Sequence, residues 1–150
     1  MSYLLDTTVA IDWSLGYPGV REVVERCFEE TDLLFTCDVI TCEALSGGTD
    51  LERDVIRRFL APLEFVTLDP DGAASAGELR RTAGRTSGRS LGDALIAALA
   101  QRLGATLVTR NAADYAAYEI PVLGYGSNAG VGLRITGAPH RSRSQSRSDP

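Results

Sequence analysis

The segment SLGDALIAALAQRLGATLVTRNAADY, Ser90 to Tyr115, leaves few folds open. Ser90-x-x-Asp93 has the form of a capping box, Leu91 to Leu103 is apolar enough for a buried helix, and Gly104 is the residue type that stops one. The apolar run ATLVT follows at once and reads as a strand. A helix feeding directly into a strand is the unit of an α/β domain, and the rest of the chain keeps that alternation. YLL is a short strand ending at Asp6, and TTVAIDWSL reads as a helical turn or two. PGVREVVERCFEE sets Val20, Val23, Val24, Cys27 and Phe28 at helical spacing. LLFTC is a second strand, followed by a short helix through VITCEAL that Gly47 and Gly48 end. TDLERDVIRRFLAPL opens with the capping box Thr49-x-x-Glu52 and carries Leu51, Val55, Ile56, Phe59 and Leu60 on one face. EFVTL is a third strand, DPDGAASAGELRRTA is helical from Pro70, and a short helix starts at Asn111. The expected fold is α/β with a mainly parallel sheet, and no internal repeat is visible.

Composition narrows the chemistry. A chain of 150 residues with 44% hydrophobic side chains suits one domain with a substantial core. Its 15 basic residues are all Arg, so neither a P-loop nor a Schiff-base lysine can be built from it. The one histidine, His140, lies in the terminal segment GAPHRSRSQSRSDP, which argues against a Ser-His-Asp triad, a Cys-His pair or a His-rich zinc site. That Ser/Arg-rich segment, residues 137–150, has almost nothing to bury and reads as a disordered tail, leaving residues 1–136 as the folded domain. Without the tail's three arginines and one aspartate, the body keeps 12 basic and 19 acidic residues. The cysteines Cys27, Cys37 and Cys42 are odd in number and lack a zinc-type spacing, which points to reduced thiols in the cytoplasm. No stretch reads as a signal peptide, and ALIAALA is far shorter than the ~20 residues of a spanning helix, so no membrane association is expected.

What remains abundant is carboxylate, a hard oxygen ligand suited to Mg²⁺ or Mn²⁺. Ligands of open α/β sheets sit beyond the carboxyl ends of the strands. Asp6 ends the first strand, Glu43 lies in the helix after the second, Asp93 opens the helix leading into ATLVT, and Asp114 follows that strand by one short turn. Gathered in a dry pocket they would repel one another, which calls for a divalent cation or for one acid kept protonated. Each also has a local reading. Asp6 before Thr7 and Thr8 is a helix N-cap arrangement, Ser90-x-x-Asp93 and Asn111-x-x-Asp114 are capping boxes, and Glu43 fits a solvated helix face.

Taken together, YLLDTTVAI, TCEAL, LGDALIAALA and LVTRNAADY resemble the PIN domain, and in particular the VapC-type toxins of bacterial toxin–antitoxin pairs. The resemblance spans Tyr3 to about Val122. It implies a three-layer α/β/α fold and a metal-dependent ribonuclease whose acidic quartet is carried here by Asp6, Glu43, Asp93 and Asp114, holding Mg²⁺ or Mn²⁺. Asp6 and Asp93 are the expected direct ligands, with Glu43 and Asp114 completing the shell directly or through water. Thr8 stands where the family often has Asn or Ser. Thr8, Thr109 and Asn111 are expected to order the site or orient substrate. The resemblance also implies a protein antitoxin as partner and a homodimer, for which the apolar faces of TTVAIDWSLG and TDLERDVIRRFLAPL are candidates beside plain core packing.

An acidic protein that cuts RNA needs local positive potential. RRTAGRTSGRS supplies Arg80, Arg81, Arg85 and Arg89 with no acid between them and runs straight to Asp93, so an RNA path and a solvated loop both fit it. Two other readings stay open. A phosphatase of the haloacid dehalogenase type expects an Asp two residues after its nucleophile and a Lys farther on; Thr8 and the absence of Lys count against it. A binding module that has lost its chemistry is disfavoured by the presence of all four acids.

Overall fold

Side-chain alternation in the first strand sets up the whole architecture. β1 (Tyr3–Leu5) is buried along its length, yet Tyr3 and Leu5 enter one core while Leu4 enters another. Because successive strand residues face opposite ways, a strand that is apolar at every position must be covered on both faces. The computed structural model describes residues 1–83 and 90–126, and the backbone of 132–135. In chain order it contains β1, α1 (Thr7–Leu15), α2 (Val20–Glu30), β2 (Leu34–Cys37), α3 (Asp38–Leu45), α4 (Asp50–Leu60), β3 (Glu64–Val66), α5 (Pro70–Thr82), α6 (Leu91–Leu103), β4 (Thr106–Thr109), a 3-10 turn (Ala112–Tyr115), β5 (Pro121–Gly124) and β6 (Gly132–Ile135).

The sheet order is β3-β2-β1-β4-β5-β6. β1 to β5 are parallel to their neighbours and β6 pairs antiparallel with β5. The chain therefore runs outward from β1 through β2 to β3, then returns to place β4 on the other side of β1. That reversal is the topological switch point, where open α/β sheets leave a crevice at the carboxyl ends. Here it lies between the end of β1, where Asp6 stands, and the end of β4 at Thr109.

One face of the sheet carries α1, α2 and α4. Val9, Ala10, Val23, Val24, Ile56 and Phe59 pack there on Leu5, Val108 and Leu123. The other face carries α6, whose Ala94, Ile96, Ala97, Leu99 and Ala100 pack on Leu4, Leu107 and Val122. The result is the three-layer α/β/α arrangement expected from the resemblance. α6 can be so apolar because α5 covers it as well: Ala76 is buried, and Arg102 of α6 pairs with Asp69 at the start of α5 at 2.6 Å.

Local signals explain most element ends. The Thr49–Glu52 capping box forms in both directions, Asp69 accepts the Gly72 N–H at 2.8 Å, and Gly16 and Gly104 end α1 and α6 in the left-handed region at φ 64° and 60°. Some expectations change. TTVAIDWSL forms a full nine-residue helix rather than a turn or two. Leu51 is 74% exposed and Phe28 is 45% exposed, so the apolar stripes of α4 and α2 are narrower than their spacing indicates. β5 and β6 have no counterpart in the sequence reading: Pro121 opens β5 and Gly124 closes it, both residue types that argue against a strand. The boundary at 136 and the tail 137–150 lie outside the described residues.

The thiols test this packing. Cys27 and Cys37 are buried and Cys42 is exposed; burial pushes the Cys27 thiol up to about 12 and raises that of Cys37. In the native protein a disulfide reagent at mildly alkaline pH should modify Cys42 alone, and all three thiols in denaturant. Fast native reaction of all three would show that α2 and β2 are not packed as described.

Candidate active site

Asp6 leaves β1 in extended backbone and takes the N-cap position of α1, but its side chain makes no capping bond. It turns into the crevice instead. Oδ2 accepts the Thr109 hydroxyl at 2.7 Å and the Thr8 hydroxyl at 3.0 Å, and Oδ1 accepts the Tyr115 phenol at 3.1 Å. The carboxyl is 4% exposed, and burial raises its pKa while the bonds from Thr109, Thr8 and Tyr115 pull it back. Hydrogen bonds to a charged group are worth roughly 1.5–3 kcal/mol each, so three of them are of the size needed to keep a buried carboxylate in place.

The hydroxyls are themselves held. Thr8 Oγ1 accepts the Arg110 N–H at 3.1 Å and Thr109 Oγ1 accepts the Asn111 N–H at 3.1 Å, which leaves the single proton of each for Asp6. Thr8 and Thr109 thus both bond one oxygen of Asp6. Asn111 acts through its backbone, its side chain being exposed and uncapping, so Asn111-x-x-Asp114 forms no capping box.

Glu43, on α3, is exposed, and its Oε2 accepts the Thr7 hydroxyl at 2.7 Å. Its other oxygen lies against the start of α6: a Cβ added to Gly92 would stand 2.1 Å from Glu43 Oε1. Only a residue without a side chain lets that carboxylate approach the positive end of the helix. Asp93 is the next residue. Its capping box is real, with the Ser90 N–H donating to Asp93 Oδ2 at 3.2 Å and the Asp93 N–H to Ser90 Oγ at 3.0 Å.

Tyr115 is buried beside Asp6, to which its phenol is bonded. Its phenol is pushed far above the usual range, by burial first and then by Asp6, Asp93 and Glu43. Of the three, only Asp6 is bonded to that hydroxyl; Asp93 and Glu43 raise its pKa through their charge alone. Asp114, on the turn beside Tyr115, is exposed and makes no side-chain hydrogen bond or ion pair among the described residues. Nor is any described Arg paired with Asp6, Glu43, Asp93 or Asp114. Among the described residues, no three such groups stand close enough to form a finished metal cage. Of the arginine run, Arg80 and Arg81 end α5 exposed, with Arg81 paired to Glu78 at 2.5 Å; Arg85 and Arg89 lie outside the described residues.

A model of the PIN domain matches residues 3–119. The chain belongs to the PIN domain family. Comparison with curated protein sequences gives no match. Among solved structures, VapBC2 from Rickettsia felis, bound to a DNA fragment from their promoter, superposes with a TM-score of 0.70 at 20% identity over 83% of this chain and 99% of that one. A toxin–antitoxin complex from Klebsiella pneumoniae gives 0.64 at 24% identity, over 76% and 90%. VapC20 from Mycobacterium tuberculosis, a sarcin–ricin loop cleaving toxin, gives 0.58 at 14% identity, over 71% and 87%. These likenesses show a shared fold.

Sequence reasoning missed three residues of this PIN domain's crevice: Thr7, Gly92 and Tyr115. Gly92 carried a signal, since a glycine at the second position of a helix costs helix stability and asks for a reason. Thr7 and Tyr115 carried none, for their partners lie 36 and 109 residues away.

The raised pKa of Asp6 gives a signed expectation. A carboxyl whose folded pKa exceeds its unfolded value contributes stability that is full below the unfolded pKa and is lost as pH rises through the folded one. Asn has no such loss. In metal-free buffer, the stability of Asp6→Asn relative to the parent should therefore increase between about pH 4 and neutrality, measured by urea unfolding at both ends. A constant or decreasing difference would contradict the burial of a charged Asp6.

Proposed function

We propose that the protein is a metal-dependent endoribonuclease that hydrolyses RNA phosphodiester bonds, acting as the toxin of a toxin–antitoxin pair. One observation carries the reading: at the switch-point crevice Glu43 bridges the other two acids, accepting the Thr7 hydroxyl next to Asp6 and lying against Gly92 next to Asp93, with no described Arg paired to any of the three. Uncompensated acids of this kind suit a hard divalent cation, Mg²⁺ or Mn²⁺. Family membership supports the reading, as do fold relatives that are toxin–antitoxin complexes or an RNA-cleaving toxin.

A divalent ion bound here would acidify a water for attack on phosphorus and offset charge on the phosphate oxygens. The chain's part is positioning. Asp6 and Asp93 are the proposed direct ligands. Asp6 is fixed by three hydroxyls that leave its charge uncancelled, and Asp93 has one oxygen tied to the Ser90 N–H and the other without a described partner. Glu43 is aimed by Thr7 and the start of α6, and Asp114, on the rim, completes the shell directly or through water. Asn111 borders the same edge, and Arg80, Arg81, Arg85 and Arg89 are the proposed path for the RNA backbone.

A protein antitoxin, a homodimer and a cytoplasmic setting belong to the same reading. A groove of about 680 Å³ runs between α1, α2 and α4, lined by Trp13, Val24, Phe28, Val55, Phe59 and Pro62, and offers an apolar seat for a partner segment. No described helix is long and apolar enough to cross a membrane.

The test is cleavage of total cellular RNA in Mg²⁺ or Mn²⁺, beside a chelator control and folded Glu43→Gln and Gly92→Ala variants. Glu43→Gln should lose roughly 100-fold in rate. Gly92→Ala should lose at least about tenfold by displacing Glu43, with no fall in melting temperature, since Ala favours the helix by up to about 1 kcal/mol. A folded parent that cuts nothing in either metal would overturn the nuclease and favour the binding module.

A further inference from the structure

Asp12 is a second buried carboxylate that the proposed chemistry leaves unused. It is 1% exposed, in the middle of α1. Burial raises its pKa, opposed by a bond from the Tyr125 phenol at 2.8 Å and by Arg110, whose Nη1 stands 3.3 Å from Oδ1. Only Asp12 is buried while Arg110 stays exposed, so the desolvation cost falls on the acid and the pair is a poor source of stability that needs another reason to persist.

That reason lies in what else Arg110 touches. Asp12 and Thr8 are four residues apart on α1 and share one face. Thr8 Oγ1 accepts the Arg110 backbone N–H, and Asp12 Oδ1, which accepts no hydrogen bond among the described residues, is paired with the Arg110 guanidinium by charge at 3.3 Å, so one face of α1 meets a single residue at both ends. The Tyr17 ring lies 4.5 Å from the guanidinium carbon and closes the other side. Arg110 directly follows Thr109, the nearest hydroxyl to Asp6, and Tyr125 directly follows β5. Asp12 is thus where α1 is tied to the ends of β4 and β5.

We infer that Asp12 is a positioning residue for the Asp6 site: by holding Arg110 it fixes the end of β4 against α1, so that the Thr8 and Thr109 hydroxyls meet on one oxygen of Asp6. Its importance to catalysis rests on the proposed nuclease reading; its grip on Arg110 does not. If Tyr17 stacking and the β4 ladder held Arg110 by themselves, loss of the Asp12 charge would leave the turn unchanged.

The experiment compares amide hydrogen exchange, thermal unfolding and RNA cleavage in the parent, in Asp12→Asn and in the double variant Asp12→Asn/Arg110→Gln. In Asp12→Asn the Arg110 and Asn111 amides should exchange at least about tenfold faster while Leu107 and Val108 keep their protection. Where the parent cleaves RNA, kcat should fall with KM little changed. The double variant, which also removes the exposed Arg110 guanidinium, should regain neither the amide protection nor the kcat of the parent. Uniform acceleration across β4, or protection regained together with melting temperature, would reduce Asp12 to an ordinary stabilising residue and overturn the inference. An inactive parent would remove the nuclease reading and leave the grip to be decided by the exchange data alone.

Discussion

Asp6 is a carboxylate held almost out of water, and the crevice around it is arranged to bear the cost of keeping it there. The donors chosen are hydroxyls, from Thr8, Thr109 and Tyr115, rather than an arginine. The choice has a chemical consequence, because a neutral donor stabilises a carboxylate without cancelling its charge. Six residues along the same helix, Asp12 faces the same desolvation and is matched with Arg110. One helix thus carries two buried acids treated in opposite ways: the first is met only by neutral hydroxyl donors, and the second by a cation.

The topology makes this economical. A sheet whose order reverses between β1 and β4 brings the end of the first strand beside a residue more than a hundred positions later, with no long loop needed to carry either. α6 adds the third side. Its alanines let it lie close to the sheet, its first turn points at the crevice, and Gly92 removes the one side chain that would keep Glu43 away. The same small-residue composition therefore serves packing at one end of the helix and approach of an acid at the other.

The alternation of strands and helices, the cap and stop of α6 and the parallel sheet were legible in the sequence because each follows from spacing over ten residues or fewer. Asp6, Glu43, Asp93 and Asp114 could be named as candidates from their places at strand and helix ends, but each had an equally good local role, and the resemblance to the PIN domain made the selection. Long-range pairings were not legible. Nothing near Asp12 in the sequence says that it is buried, as its partners come from just after β4 and β5, and the pattern of α1 alone makes it one polar residue among apolar ones. β5 was hidden for another reason: Pro121 and Gly124 contradict strand propensity, and a buried position beside β4 overrides them. Phe28 and Leu51 mark the opposite limit, where helical spacing counts residues that the fold leaves exposed.

Asp93 shows why a local and a distant role need not compete. From the sequence, Ser90-x-x-Asp93 poses a choice between a helix cap and a site acid, whereas Asp6 and Asn111-x-x-Asp114 pose the same choice and form no cap at all. In the structure the cap is made, and it uses Oδ2 to bind the Ser90 N–H. That bond fixes the side-chain rotamer and leaves Oδ1 without a described partner. A capped carboxylate has fewer conformations to lose when it meets a ligand, so the cap lowers the entropic cost of the role proposed for it. For the proposed site the capping box would then be part of the construction, with the helix start as the rigid mount for Asp93.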